Sequence, residues 1–316
     1  MTKTFFVAAA LMLCVNAFSQ VNGSARKYEM LLKQSDMKET LSYIADDNTK
    51  GRESGSDGNR IVEQFIVKKF KAMGLKPFHW SYTQSVPYED SIVLRNVVGL
   101  LPASKPSDEY IVVGAHYDHI GQLAGRIYNG ADDNASGVTA MLSLADAFSR
   151  MKADGAGPSK NIIFVAYDGK ELSMSGSKHF VKELGIPAKK VICALNIDML
   201  GTDLVPVGKN REYMIVLGED SLPDEYRGYL SYLCNRTLYR MDLDLSFYGS
   251  RNFTRMIYET GDHYSFAKAG IPSVLFTSAF HKHTYRPTDD VDIIDFQLLR
   301  KRTAVIFNFI NRLCSF

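Results

Sequence analysis

The chain is poor in the features that mark specialised protein classes. It has four cysteines in 316 residues, at positions 14, 193, 234 and 314. None is spaced as CxxC, so they do not form a disulfide framework. Cys193, inside VICALNIDM, reads as a small buried residue, and a single Cys234–Cys314 bridge stays open. Net charge is only +2 and the basic residues form no basic–aromatic stripe, which argues against nucleic acid as a partner. There is no internal repeat, no low-complexity tract and no Pro/Ser-rich linker. Past the first stretch, no segment is long and apolar enough to span a membrane. What remains is ordinary globular composition, 46% hydrophobic and 23% charged.

The first stretch differs. Lys3 is its only charge, Phe5 to Phe18 is almost wholly apolar, and Ala17-Phe18-Ser19 places small residues at minus three and minus one. This predicts a signal peptide over 1–19, cut before Gln20. The run is too short for an anchor, and bulky Leu13 before Cys14 argues against lipidation. An exported protein, periplasmic or secreted, is expected, with 20–316 as a single domain.

Helical periodicity is read over Tyr28–Asp46 and, after the polar loop GRESGSDGN, over a helix capped by Asn59 and ended by Gly74. Strands are expected at Trp80–Val86 and Ile92–Leu101. The order then becomes regular: strand Tyr110–Ala115, helix Ala135–Arg150, strand Asn161–Tyr167, helix Ser175–Leu184 and strand Val191–Met199. Strand Tyr213–Leu217, helices Pro223–Leu233 and Asp262–Ala269, strand Ser273–Phe276 and helix Phe296–Leu313 complete it. Such alternation predicts an α/β fold, a mostly parallel mixed sheet with helices on both faces.

Ligands of such sheets gather beyond the carboxyl ends of strands. There the sequence places His116 and Asp118, then Asp168 to Glu171, then Asp198, with Asp133 at a helix start and His281, His283 and Tyr285 after the last strand. Each alone has a bland reading: a strand-end histidine, a helix cap, a loop acid. Together they are unpaired carboxylates converging on one edge, costly to bury without a cation. Asp118 behind His116 suits a carboxylate that orients a ligating imidazole.

GAHYDHIG, YNGADDNASG, FVAYDGKELSMSGS, ALNIDMLG and GDHYSFAKAGIPSVLFTS resemble, in order, the motifs of the co-catalytic di-zinc aminopeptidases of clan MH, a group that includes glutaminyl cyclases. The resemblance spans the mature chain and implies a zinc-exopeptidase (phosphorylase/hydrolase-like) fold. It implies one or two zinc ions and a peptide or amino-acid derivative as substrate. It makes His116 and Asp198 ligands of the second zinc, with Asp133 bridging and Glu171 on the first.

Two positions depart from the pattern. The residue before Glu171, a glutamate base in the family, is Lys170. An ammonium accepts no proton, so loss of the base is expected, with a neutral amine base as the alternative. Lys170 is also placed to oppose the first metal or replace it by pairing with Asp133 or Glu171. The last histidine ligand falls at Tyr285; either the loop shifts His283 onto the metal, or the site lacks this histidine. Three readings follow: an exported aminopeptidase, an impaired relative that binds peptides, and, least favoured, a glutaminyl cyclase. Asp262 and His263 read as a helix cap and a packing histidine. Tyr248 and Phe253 are candidates for a side-chain pocket.

Overall fold

A computed structural model describes residues 25–89, 92–205, 211–235, 239–247 and 249–315. The expected leader, with Cys14, and Tyr248 lie outside the described residues. A nine-stranded sheet runs in the order β1-β3-β7-β4-β8-β11-β9-β10, with β2 beside β3. Its strands are β1 (Lys76–Pro77), β2 (Thr83–Pro87), β3 (Val93–Leu101), β4 (Tyr110–His116), β7 (Asn161–Tyr167), β8 (Val191–Ile197), β9 (Tyr213–Leu217), β10 (Asp242–Asp244) and β11 (Ser273–Thr277). The centre, β7-β4-β8-β11, is parallel. β1, β2 and β3 pair antiparallel at one side, and β9 runs antiparallel to β11 at the other. A hairpin of β5 (Gly121–Leu123) and β6 (Arg126–Tyr128) stands apart.

The central strands are buried on both faces, as a parallel sheet between helices requires. In β4, Ile111, Val113 and Ala115 face one core and Val112 faces the other. The first core is closed by α1 (Gln34–Ile44), α3 (Gly137–Ala153) and α8 (Phe296–Leu313), the second by α4 (Ser175–Lys182) and α7 (His263–Lys268). Phe148 of α3 and Phe307 of α8 meet with ring centroids 4.8 Å apart. Helix α2 (Asp57–Ala72) is capped by Ser56, whose hydroxyl accepts from the Asn59 amide, so Asn59 is not the cap. The Asn59 side chain turns inward instead, to Asp168. Two further helices are α5 (Asp224–Asn235) and α6 (Arg251–Glu259). The last, which carries the pocket candidate Phe253, is started by Ser250, whose hydroxyl accepts from the Phe253 amide.

The Cys234–Cys314 bridge is not made: Cys193, Cys234 and Cys314 are all buried free thiols. Among the described residues, no helix is long and apolar enough to cross a membrane. Phe148→Ala should destabilise the fold by about 3–5 kcal/mol, because it removes a ring from the joint between α3 and α8. A urea transition within error of wild type would show that this joint does not hold the core.

Candidate metal centre

The ends of β4, β7 and β8 open onto one crevice, and the sheet's parallel order brings three distant segments there. β4 ends in His116, wholly buried, and the chain then passes Asp118 and His119. The loop after β7 carries Asp168, Lys170 and Glu171, and Asp198 directly follows β8. Asp133 enters from the turn before α3, across a cis Asp133–Asn134 peptide.

His116 Nε2 lies 3.4 Å from Asp133 Oδ1 and 3.4 Å from Asp198 Oδ1. That is long for an N–H···O bond. It matches the separation of about 3.3 Å between two donors that share a tetrahedral cation at ~2.0 Å each. His116 Nδ1 faces the Asp118 main-chain carbonyl at 3.1 Å, while the Asp118 carboxylate stands 3.7 Å away. His116 Nδ1 thus faces both the main-chain carbonyl of Asp118 and, farther off, its carboxylate. That carboxylate accepts from the Glu171 amide and the Ser54 hydroxyl, tying the β4 and β7 loops together.

A second cluster shares Asp133. His119, Asp133 and Glu171 bring ligand atoms within 4.8 Å of one another, as do His116, Asp133 and Asp198. The two oxygens of Asp133 face different histidines, Oδ1 toward His116 and Oδ2 toward His119. Asp133 Oδ2, Glu171 Oε1 and both ring nitrogens of His119 are buried without a hydrogen-bond partner. Orphaned donors of this kind, converging on one point, are what a cation would satisfy. The residues thus fit a divalent metal.

His283 does not join them. It is half-buried, and its Nδ1 meets Thr288 Oγ1 at 2.9 Å. His281 is held by Asp132 at 3.1 Å. Tyr285 does reach the crevice, its ring stacked beside His119 at 6.3 Å between centroids. Lys170 lines the crevice too, but it forms no ion pair with Asp133 or Glu171 among the described residues. Burial would lower its pKa, yet Asp198, Glu171 and Asp133 outweigh that and hold it above the usual lysine value. Burial, reinforced by Asp133, pushes Glu171 up to about 7. Asp262 is buried with no cap bond, and both its oxygens lack hydrogen-bond partners, so the cap reading fails; His263 is a buried histidine against Tyr258. Phe253 packs edge-on against Phe247, and Phe247, Ile257, Leu275 and Phe280 form an apolar wall beside Asp133 and Asp198.

Several supporting residues carried no distinctive sequence signal. Arg52, fully buried inside a loop read as merely polar, donates to the carbonyls of Ile44, Tyr117, Asn129 and Gly130. Its charge faces Asp289, Asp133 and Asp118. Asp289 accepts from the amides of Asp132 and Asp133. Asp168 accepts from Ser54, Asn59 and the Arg95 amide, so it is committed to structure. His119 was legible, three residues after His116 in GAHYDHIG, but a histidine on a strand-end loop is usually bland.

Comparison with known proteins places the chain in a family. The profile described as Peptidase family M28 matches residues 96–310. A probable leucine aminopeptidase 1 of Trichophyton verrucosum is 26% identical over 238 residues, covering 73% of this chain and 61% of that protein. The chain thus spans about three fifths of the length of this curated relative. Among solved structures, BSAP, a zinc aminopeptidase from Bacillus subtilis, superposes with a TM-score of 0.68 at 14% identity, over 89% of this chain and 95% of that one. A glutaminyl cyclase of Porphyromonas gingivalis gives 0.66 at 17%, over 90% and 99%. At such identities the likeness concerns fold alone.

Arg52→Met should destabilise the protein by about 3–5 kcal/mol, since it strips four buried carbonyls of donors and buried carboxylates of their counter-charge. The denaturant midpoint checks this, and an unshifted one would remove Arg52 from that role.

Proposed function

The chain belongs to peptidase family M28, and from that premise we propose that it is a zinc-dependent exopeptidase of the aminopeptidase type with weakened turnover. The observation that carries the proposal is the pair of donor clusters sharing Asp133 at the ends of parallel strands. In this reading His116, Asp133 and Asp198 hold one ion, and Asp133 and Glu171 contribute to a second. Zinc held there supplies Lewis acidity, polarising a peptide carbonyl and activating water. The chain's own residues do the rest. The apolar wall of Phe247, Ile257, Leu275 and Phe280 takes an apolar amino-terminal side chain. Asp198, facing that wall, orients the substrate's free amine.

Lys170 is the weak point. It stands where proton abstraction from water is needed, and three carboxylates keep it charged. A charged ammonium has no lone pair to take that proton. It also disfavours a positively charged amine in the same crevice. These facts support slow catalysis over efficient catalysis. They favour, as a second reading, an impaired relative that binds peptides without cleaving them. Cyclisation of amino-terminal glutamine also needs an acid at position 170 and is the least supported. The apolar leader over 1–19 supports export to the periplasm or beyond, for which detection of the cut chain outside the cytoplasm is the check.

Zinc-loaded protein should release nitroaniline slowly from apolar aminoacyl-nitroanilides, and a chelator should abolish this. Lys170→Glu should raise kcat by about 10²–10⁴-fold, the range a positioned base contributes. If the variant is slower than wild type, the lysine is a working part of the site and the weakened-catalysis reading is overturned.

A further inference from the structure

We propose that His119 is the histidine ligand of the first metal position, replacing the one that Tyr285 displaces. The inference rests on reading the crevice as a metal centre and adds a ligand to it. His119 is 1% exposed, yet neither ring nitrogen has a hydrogen-bond partner. His263 is also buried with both ring nitrogens unpartnered, but only His119 shares a cluster of ligand atoms with Asp133 and Glu171, and a cation there would complete it. Its Nδ1 points toward Asp133 Oδ2 at 3.8 Å, beyond hydrogen-bond range but close to the spacing of two donors around one cation. Asp133 Oδ2 and Glu171 Oε1, the other members of the cluster, are orphaned too. One ion would satisfy Asp133 Oδ2, Glu171 Oε1 and one ring nitrogen of His119.

The local chain is built to hold the ring there. The His119 amide donates to the Arg52 carbonyl at 3.2 Å, fixing the loop after β4. Gly130, at φ +53, leaves the space the ring occupies: a Cβ at that position would lie 2.5 Å from His119 Cδ2. Tyr285 stacks nearly parallel to the ring, at an interplanar angle of 10°, and flanks it on the crevice side. The histidines of the last loop are committed elsewhere, His281 to Asp132 and His283 to Thr288. A histidine lost from one loop is thus supplied from another, and Asp133 lies between His116 and His119 with one oxygen for each.

Calorimetric zinc titration of the apoprotein, with elemental analysis, tests this. Wild type should bind two zinc ions. His119→Ala should bind one, the other weakened by about 100-fold or more, and His283→Ala should still bind two. In the double variant H119A/Y285H the second ion should return. If wild type binds no zinc, the metal-centre reading itself fails. If wild type binds two and His119→Ala also binds two with unchanged affinities, only the present inference fails. A wild type that binds one ion overturns it as well. Should the variants fail to fold, histidine ring ¹⁵N shifts of wild type decide. On saturation with zinc the signals of His116 and His119 should move, and a stationary His119 overturns the inference.

Discussion

Burial of several carboxylates in one crevice is the constraint that the rest of this structure answers. Asp118, Asp133, Glu171 and Asp198 all end there, largely out of water. Two unit charges about 4 Å apart repel by ~4 kcal/mol at an effective dielectric of 20. The protein offsets this with cations of its own. Burial would lower the pKa of His116, but Asp198, Asp118 and Asp133 raise it well above the usual histidine value. Arg52 and Lys170 add fixed positive charge. Even so, burial first and then Asp133 keep Glu171 pushed up to about 7.

The same constraint explains the backbone around the crevice. Loops that carry like charges toward each other need to be tied, and they are tied by side chains that reach main-chain groups. Arg52 gathers carbonyls from the β4 exit and from the turn before Asp133. Asn134 donates to the Ile197 carbonyl and accepts from the amides of Gly137 and Met199, locking the Asp133 turn to the β8 exit. Gly137 permits this approach, since a Cβ there would meet the Ile197 carbonyl at 2.5 Å. Asp168 and Asp289 do the corresponding work for the β7 loop and the last loop. None of these residues touches the space where a ligand would sit, yet each sets where a donor points.

Much of the architecture was legible along the chain. Strand β7 and helix α8 fall where the apolar runs place them, because burial on both faces of a parallel strand, or along one stripe of a helix, writes a local pattern. The hairpin β5–β6 and helix α6 were missed, because short or charged elements leave a faint one. Within the site, His116, Asp133 and Asp198 form one cluster and Glu171 meets Asp133 in another, each at a strand end or helix start that a linear reading can locate. His283 joins neither, because the last loop turns it toward Thr288.

The sequence by itself determined the class of fold, the edge of the sheet on which polar residues gather, and the presence of a lysine directly before Glu171. These are local properties of periodicity and residue chemistry. Only the tertiary structure decided which histidines face Asp133, how Asp118 meets His116, and that Lys170 forms an ion pair with neither Asp133 nor Glu171. Those outcomes depend on angles and distances between loops far apart in the chain. Such distances are set by Arg52, Asn134 and Asp289, whose bonds to the backbone leave no periodic trace in the order of residues.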